Sequence, residues 1–181
     1  MTRTRVAIAI AAALALGGCA GTSQPAPTAS SPVTTEPTTT TGSPSTSQDP
    51  DIASAENAIV DFWQVRDAVA SNPSGGVTKL DTVARGQALD VHQRSLNAEF
   101  ASGLRQVGST VVTPISASPA ATTGEFDVAA CVDVSKVNVV DKDGKSHVPT
   151  NRPPRSRYDY VVQKTSAGWF VISDPLKAKP C

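Results

Sequence analysis

The chain has 181 residues, 16 Lys and Arg against 16 Asp and Glu, 39% hydrophobic residues and only 4% aromatic ones. Zero formal charge argues against nucleic-acid binding, which needs a surplus of Lys and Arg to displace counterions, and it provides no field for steering toward acidic lipids. The length allows one ordinary domain plus extensions, and 14 Pro beside so few large side chains indicate that part of the chain lies outside any core.

Arg3 and Arg5 precede an unbroken apolar run from Val6 to Leu16. At about 1.5 Å rise per residue, that run reaches roughly half of a ~30 Å hydrocarbon layer, too short for a stable span but the right length for the h-region of a signal peptide. It ends in Leu16-Gly17-Gly18-Cys19, which resembles the lipobox of bacterial lipoproteins. The resemblance implies that residues 1–18 are removed and that Cys19 carries a thioether-linked diacylglyceryl group. It also implies an amine open to acylation, with palmitate as an expected chain. Two or more acyl chains give the durable anchoring that one cannot. The expected location is therefore the outer face of the cytoplasmic membrane, lipid-anchored in the cell envelope. A secreted chain in which a cysteine merely follows the h-region is the alternative.

Residues 19–50 are dominated by Thr, Ser, Pro, Ala and Gly, and Glu36 and Asp49 are the charged residues among them. With no apolar periodicity to bury, such a stretch does not offset its backbone entropy and reads as a disordered tether. Its prolines bias it toward polyproline II, with a reach on the order of 90 Å at ~3.1 Å per residue. A bare spacer is the main reading; O-glycosylation of the Ser/Thr tract is the other.

Residues 51–181 form the expected folded domain. Asp49-Pro50 reads as an N-cap with Pro at N1, and Ile52, Ala55, Ile59, Phe62 or Trp63, Arg66 and Val69 recur at helical spacing up to Asn72-Pro73. This predicts a helix over 51–71. A short helical turn over 79–84 and a longer helix over 85–106 follow, the latter with an apolar stripe of Leu89, Leu96, Phe100, Leu104 and Val107 and with Gly108 at C′. The period then changes to two. Residues 109–116 are rich in β-branched side chains, 118–123 read as a turn, and 124–134 alternate, with Phe126, Val128, Ala130, Val132 and Val134 on one face and Glu125, Asp127, Ala129, Cys131 and Asp133 on the other. Residues 137–140 form a short strand closed by Asp141-Lys142-Asp143-Gly144, and 157–164 and 169–174 form a last pair about Ser166-Ala167-Gly168. Helices first and an antiparallel sheet after predict an α+β fold, with two or three helices on one face of a curved sheet of about four strands.

Helix, loop, second helix and then strands closing on Gly168-Trp169-Phe170-Val171 resemble the nuclear-transport-factor-2-like cone. Within that group, Ala130-Cys131-Val132-Asp133-Val134-Ser135, the turn from Val139 to Lys145, the hairpin from Tyr158 to Trp169 and the terminal Cys181 resemble small exported actinobacterial lipoproteins of unassigned function. The resemblance implies a pocket between helices and sheet, and in enzymes of this fold, isomerases and cyclases, pocket carboxylates with Tyr or His partners. No such set maps onto this chain residue by residue, so no catalytic residue is assigned.

With Cys19 lipidated, Cys131 and Cys181 remain as a pair in an exported domain, which points to a disulfide. His92 sits on the edge of the long helix's apolar stripe and is either a boundary histidine bonded to solvent or backbone, the main reading, or a pocket group beside Tyr158, Tyr160 or Asp159. Tyr158 and Tyr160 otherwise read as sheet packing. Arg152, Arg155 and Arg157 cluster in and after a Pro-containing loop and offer a site for a phosphate, carboxylate or lipid headgroup, with a solvated loop as the main reading. Asp141-Lys142-Asp143-Gly144 lacks the ligands of a calcium loop, the two histidines have no ligand spacing to the cysteines, and neither a metal nor another cofactor is expected.

The expected function is a non-enzymatic domain that binds an envelope protein or a small apolar ligand, displayed outside the membrane on its anchor. The alternatives are a small-molecule enzyme of isomerase or dehydratase type using the pocket, and a prophage-type lipoprotein that excludes incoming phage.

Overall fold

Asp49 starts the first helix as the Asp-Pro pair predicts: its Oδ1 accepts the Asp51 N–H at 2.9 Å, and Pro50 opens helix α1, Pro50–Ser71. The structure, a computed structural model, describes residues 49–176 and 179–181. The expected signal peptide, Cys19 and the tether as far as residue 48 lie outside them. One face of α1 buries Ala55, Ile59, Phe62 and Trp63 against the sheet. Each large side chain so buried contributes about 1.5–3 kcal/mol. Asn72-Pro73 ends the helix, because the residue before a proline leaves the helical region. Short 3₁₀ turns at Pro73–Gly75 and Thr78–Thr82 lead to helix α2, Gly86–Ala101.

Helix α2 is shorter than the expected span to Gln106. Gly103, at φ 71°, donates its N–H to the Phe100 carbonyl at 2.9 Å, and the Leu104 N–H reaches the Glu99 carbonyl at 2.9 Å. These two bonds satisfy the last carbonyls in a left-handed glycine cap, so the helix stops at Ser102-Gly103 and not at Gly108. Leu104 and Val107, read as an extension of the stripe, belong instead to the turn and to strand β1, Arg105–Val107. The inward face of α2 is Ala88, His92 and Leu96.

The main sheet consists of β2, Val111–Pro119, β3, Glu125–Asp133, β5, Arg155–Thr165, and β6, Gly168–Ser173, all antiparallel in the order β2-β3-β5-β6. The fourth strand in sequence, β4, Asn138–Val140, pairs with β1 in a separate two-stranded ribbon. The expected turn at residues 118–123 begins later, because β2 runs on through Pro119. Breaks in register at Pro114/Ser116 in β2 and at Val161/Val162 in β5 interrupt the ladders, and such bulges bend a sheet. The alternation in β3 falls as expected: Phe126, Val128, Ala130 and Val132 face the helices in the core cluster, with Val134 packed beside them just after the strand. Gly108 has a different role from the cap expected for it. At φ 80° it lets the backbone pass so close to the Lys136 carbonyl that a Cβ there would lie 1.9 Å from that oxygen. The result is the expected α+β layering, two helices on one face of a curved four-stranded sheet.

Candidate functional site

The space between the helices and the sheet is closed by aromatic rings. Trp63 of α1 donates Nε1–H to the Tyr160 hydroxyl of β5 at 2.8 Å. Tyr160 stacks on Tyr158 with centroids 5.8 Å apart, and Trp63 meets Tyr158 edge-on at 6.0 Å. Burial pushes the Tyr160 hydroxyl far above its ordinary pKa, and burial together with the nearby Asp174 charge pushes up that of Tyr158. Both phenols therefore stay protonated and serve as packing groups through the neutral range.

His92 sits against these rings, edge-on to Phe62 at 4.9 Å and to Trp63 at 5.9 Å, and it is 8% exposed. It is not the boundary residue that the main sequence reading expects. Its Nε2 lies 2.6 Å from Oδ2 of Asp174, the residue just after β6, and its Nδ1 lies 3.3 Å from Nε of Arg66. A guanidinium N–H only donates, so Nδ1 accepts from Arg66 and the ring proton sits on Nε2, where it donates to the Asp174 carboxylate. Asp174 also receives structural support from Gln87, whose side-chain oxygen accepts the Asp174 backbone N–H at 3.0 Å. Its Oδ1 is buried and has no hydrogen-bond partner among the described residues.

Arg66 extends this network along α1. Its Nη1 donates to Gln106 Oε1 at 2.7 Å, Gln106 Nε2 donates to Asp67 Oδ1 at 2.7 Å, and the Thr110 N–H and hydroxyl both donate to Asp67 at 2.6 and 2.9 Å. The guanidinium also lies 5.3 Å from the centre of the Trp63 ring, a cation–π position. One continuous polar chain thus runs from β6 through both helices to β1 and β2. Within it the Arg66 guanidinium lies 3.7 Å from Asp67 Oδ1 and His92 donates to the Asp174 carboxylate, so the charged groups are partnered, which is how charge is tolerated in an interior.

The sequence offers His92, Tyr158 and Tyr160 as pocket neighbours only as the alternative to a boundary histidine and sheet-packing tyrosines; the structure brings the three rings around Trp63. Sequence reasoning missed Asp174, Gln106 and Asp67. The one available signal was Arg66: a charged residue at an inward position of an amphipathic helix requires buried partners. Those partners lie on elements far away in sequence, which no local pattern reveals.

The three arginines do not form a shared site. Arg152 Nη2 donates to the carbonyls of Val134 and Val137 at 2.8 and 2.7 Å and so ties the loop together. Arg155 lies 3.7 Å from Asp133, and Arg157 Nε donates to Asp159 at 3.0 Å. The turn at Asp141 is likewise internally satisfied: its Oδ1 accepts the N–H groups of Asp143 and Lys145, both at 3.0 Å, and its Oδ2 faces His147 Nε2 at 2.9 Å. The His147 bond, more than any other contact, holds the Asp141 carboxyl below the usual range. Among the described residues, no group of three or more His, Cys, Asp or Glu is placed to hold a metal ion.

Cys131 of β3 is joined to Cys181, 50 residues on, with their Cα atoms 5.7 Å apart. The expected pair is therefore present, and it belongs to an oxidising compartment outside the cytoplasm. Among the described residues no helix is long and apolar enough to cross a membrane.

Open grooves occur at the surface. One of about 380 Å³ is lined by Asp67, Gly108 and Thr110. Another of about 390 Å³ lies on the sheet face away from the helices, lined by Ser116, Asp127, Arg157, Asp159 and Pro175. Neither is lined by His92, Tyr158 or Asp174, whereas Tyr160 is among the residues that line the second.

No protein-family model matches the sequence, and no curated protein is similar to it in sequence. Solved structures resemble it in fold. The intermembrane space region of chloroplast protein ARC6 superposes with a TM-score of 0.57 at 16% identity, over 72% of this chain and 99% of that one. The likeness is one of fold. A protein of Novosphingobium aromaticivorans described as an aromatic ring hydroxylase aligns at a TM-score of 0.45 and 15% identity, over 70% of this chain and 90% of that one. A protein of Cytophaga hutchinsonii described as NTF2-like aligns at 0.40 and 12%, over 68% and 97%. At those scores neither bears on what this chain does.

Proposed function

We propose that the protein is a lipid-anchored envelope lipoprotein, held through Cys19 and a Ser/Thr/Pro tether at the outer face of the cytoplasmic membrane, whose folded domain binds another envelope protein without catalysing a reaction. One observation carries the non-enzymatic part: the His92 imidazole and the Tyr160 hydroxyl, the groups best suited to proton transfer, are bonded to neighbouring side chains. Both ring nitrogens of His92 are engaged, by Arg66 and Asp174, and the Tyr160 hydroxyl accepts from Trp63. A general acid or base needs a free position within reach of a reacting atom in a cavity, and these groups face side chains instead. The same filling of the interior favours a partner on the surface over a small apolar ligand within. Val111 and Ile115, 54% and 50% exposed on the outermost strand, supply apolar surface for such a contact.

Crosslinking in cells, followed by mass spectrometry of what the full chain captures, tests the binding role. Reproducible capture of an envelope protein, lost when Val111 and Ile115 are both changed to Ser, supports the reading. Turnover of a small molecule that is lost with His92→Gln defeats it. Anchoring is tested separately: Cys19→Ala should move the protein from the detergent phase to the aqueous phase, and unchanged partitioning defeats the lipoprotein reading.

A further inference from the structure

Three strand edges of the main sheet are handled in three ways. The outer edge of β2 is blunted by Pro114, Pro119 and the break in register at Ile115. That of β6 is covered by the segment ahead of α2, where the Val171 N–H reaches the Val83 carbonyl at 3.0 Å and the Arg85 N–H reaches the Val171 carbonyl at 2.9 Å. Strand β5 is longer than its neighbour: β6 pairs with it only over Val161–Thr165, so Arg155–Tyr160 has β3 on one side and no named strand on the other.

That remaining edge is met by the end of the chain. Leu176 bridges Tyr158 in the register that Ser173 sets with Val161, and the Arg157 N–H donates to the Lys179 carbonyl at 3.1 Å. Leu176 is 60% exposed, so these contacts bury little. The approach is fixed at its two ends. Asp174 is held by His92 and Gln87, and Cys181 is held by its bond to Cys131. Cys181 is exposed, whereas Cys131 is 8% exposed, so an attacking thiol reaches the bond from the Cys181 side.

We propose that the Arg155–Tyr160 edge of β5 is a strand-accepting site, contacted in the monomer by Leu176 and Lys179 of the same chain, and that thiol–disulfide exchange lets the same residues of a second copy take their place. The second copy is the occupant because it carries the matching set: Leu176 for Tyr158, the Lys179 carbonyl for the Arg157 N–H, and Cys181 for Cys131. A small thiolate attacks the Cys181 sulfur and the Cys131–Cys181 bond breaks. Cys131 leaves as a thiolate and Cys181 holds the mixed disulfide. The Cys131 thiolate of the second copy then attacks that Cys181 sulfur and expels the small thiol. One disulfide is lost for each one formed, and there is no net oxidation. Exchange of a terminal segment between identical chains is an established low-cost route to a dimer.

The test mixes two full-length variants, Cys131→Ser and Cys181→Ser, both with Cys19→Ser to remove the third thiol. The buffer contains reduced and oxidised glutathione, the oxidised form accepting the two electrons that each new disulfide releases. The expected product is a heterodimer joined through Cys131 of one chain and Cys181 of the other, identified by non-reducing electrophoresis and peptide mass spectrometry. It should exceed either homodimer by about tenfold or more, because chance pairing would favour the exposed Cys181 over the buried Cys131. Cys181 homodimers as abundant as the heterodimer overturn the proposal. A second measurement guards against a variant that does not fold. The chain carrying only Cys19→Ser, concentrated with catalytic dithiothreitol, should form a dimer linked by two Cys131–Cys181 bonds, and a product that stays monomeric overturns the proposal equally.

Discussion

Changing Cys181 to Ser cuts the link to Cys131 at its exposed end and leaves the buried cysteine in place, so it isolates the cross-link from any packing change. In the chain-entropy description, a closed loop of the 50-residue separation found here removes enough freedom from the unfolded chain to stabilise the fold by about 4 kcal/mol. The native state of the variant recovers part of this, because the C-terminus is held beside β5 by few contacts once the bond is gone, so the expected loss is about 2–4 kcal/mol. With an unfolding entropy of about 2.1 cal/mol/K per residue over a domain of roughly 130 residues, that corresponds to a fall in Tm of about 7–15 °C. Calorimetry of the oxidised chain carrying Cys19→Ser, compared with the same chain carrying Cys181→Ser as well, measures it directly. Guanidinium unfolding should also give a larger m-value for the variant, since an unfolded chain without the loop exposes more surface. A Tm change under about 3 °C with an unchanged m-value would mean that the loop constrains little in the unfolded chain, and the entropic account would be wrong.

The other predictions concern the interior. His92→Ala removes the N–H that the buried Asp174 carboxylate accepts and should cost about 1.5–3 kcal/mol, whereas changing both residues to Leu should cost less than that single change; chemical denaturation showing the double variant to be the weaker one refutes the buried-pair reading. Trp63→Phe and Tyr160→Phe each break the 2.8 Å bond between them, at about 1–3 kcal/mol where a buried partner is left unsatisfied. A double-mutant cycle should show coupling between them, and strict additivity refutes it. The chain has two tyrosines, both with raised pKa values, so absorbance at alkaline pH should show little tyrosinate near the ordinary value of 10 while the protein is folded. The unfolded chain releases those protons near 10 and the folded one holds them. Stability is therefore complete below that value and falls as pH rises through it. A native titration with the ordinary midpoint and no loss of stability there would contradict the burial of both hydroxyls.

Much of the fold could be read from local pattern, because local energetics dictate it. Asp49-Pro50 starts α1, Asn72-Pro73 ends it, and strict alternation from Phe126 to Val132 aims β3 at the core. The end of α2 departs from the expected span because Leu104 and Val107 continue a helical spacing by coincidence. The hydrogen bonds that close the helix at Gly103 outweigh that pattern, and they exist only once the turn has formed.

The sequence by itself determined the export-type N-terminus as an expectation, the order of helices before strands, and the pairing of two cysteines once the third was assigned to the lipid. Each depends on adjacent residues or on composition. The tertiary structure alone decided that His92 is buried between Arg66 and Asp174, that Tyr160 bonds to Trp63, that the three arginines serve separate partners, and that Leu176 and Lys179 meet the edge of β5. Each of these joins residues many positions apart. The free energy of such a contact depends on burial and on what else competes for the same atoms, and neither is set until the chain has folded.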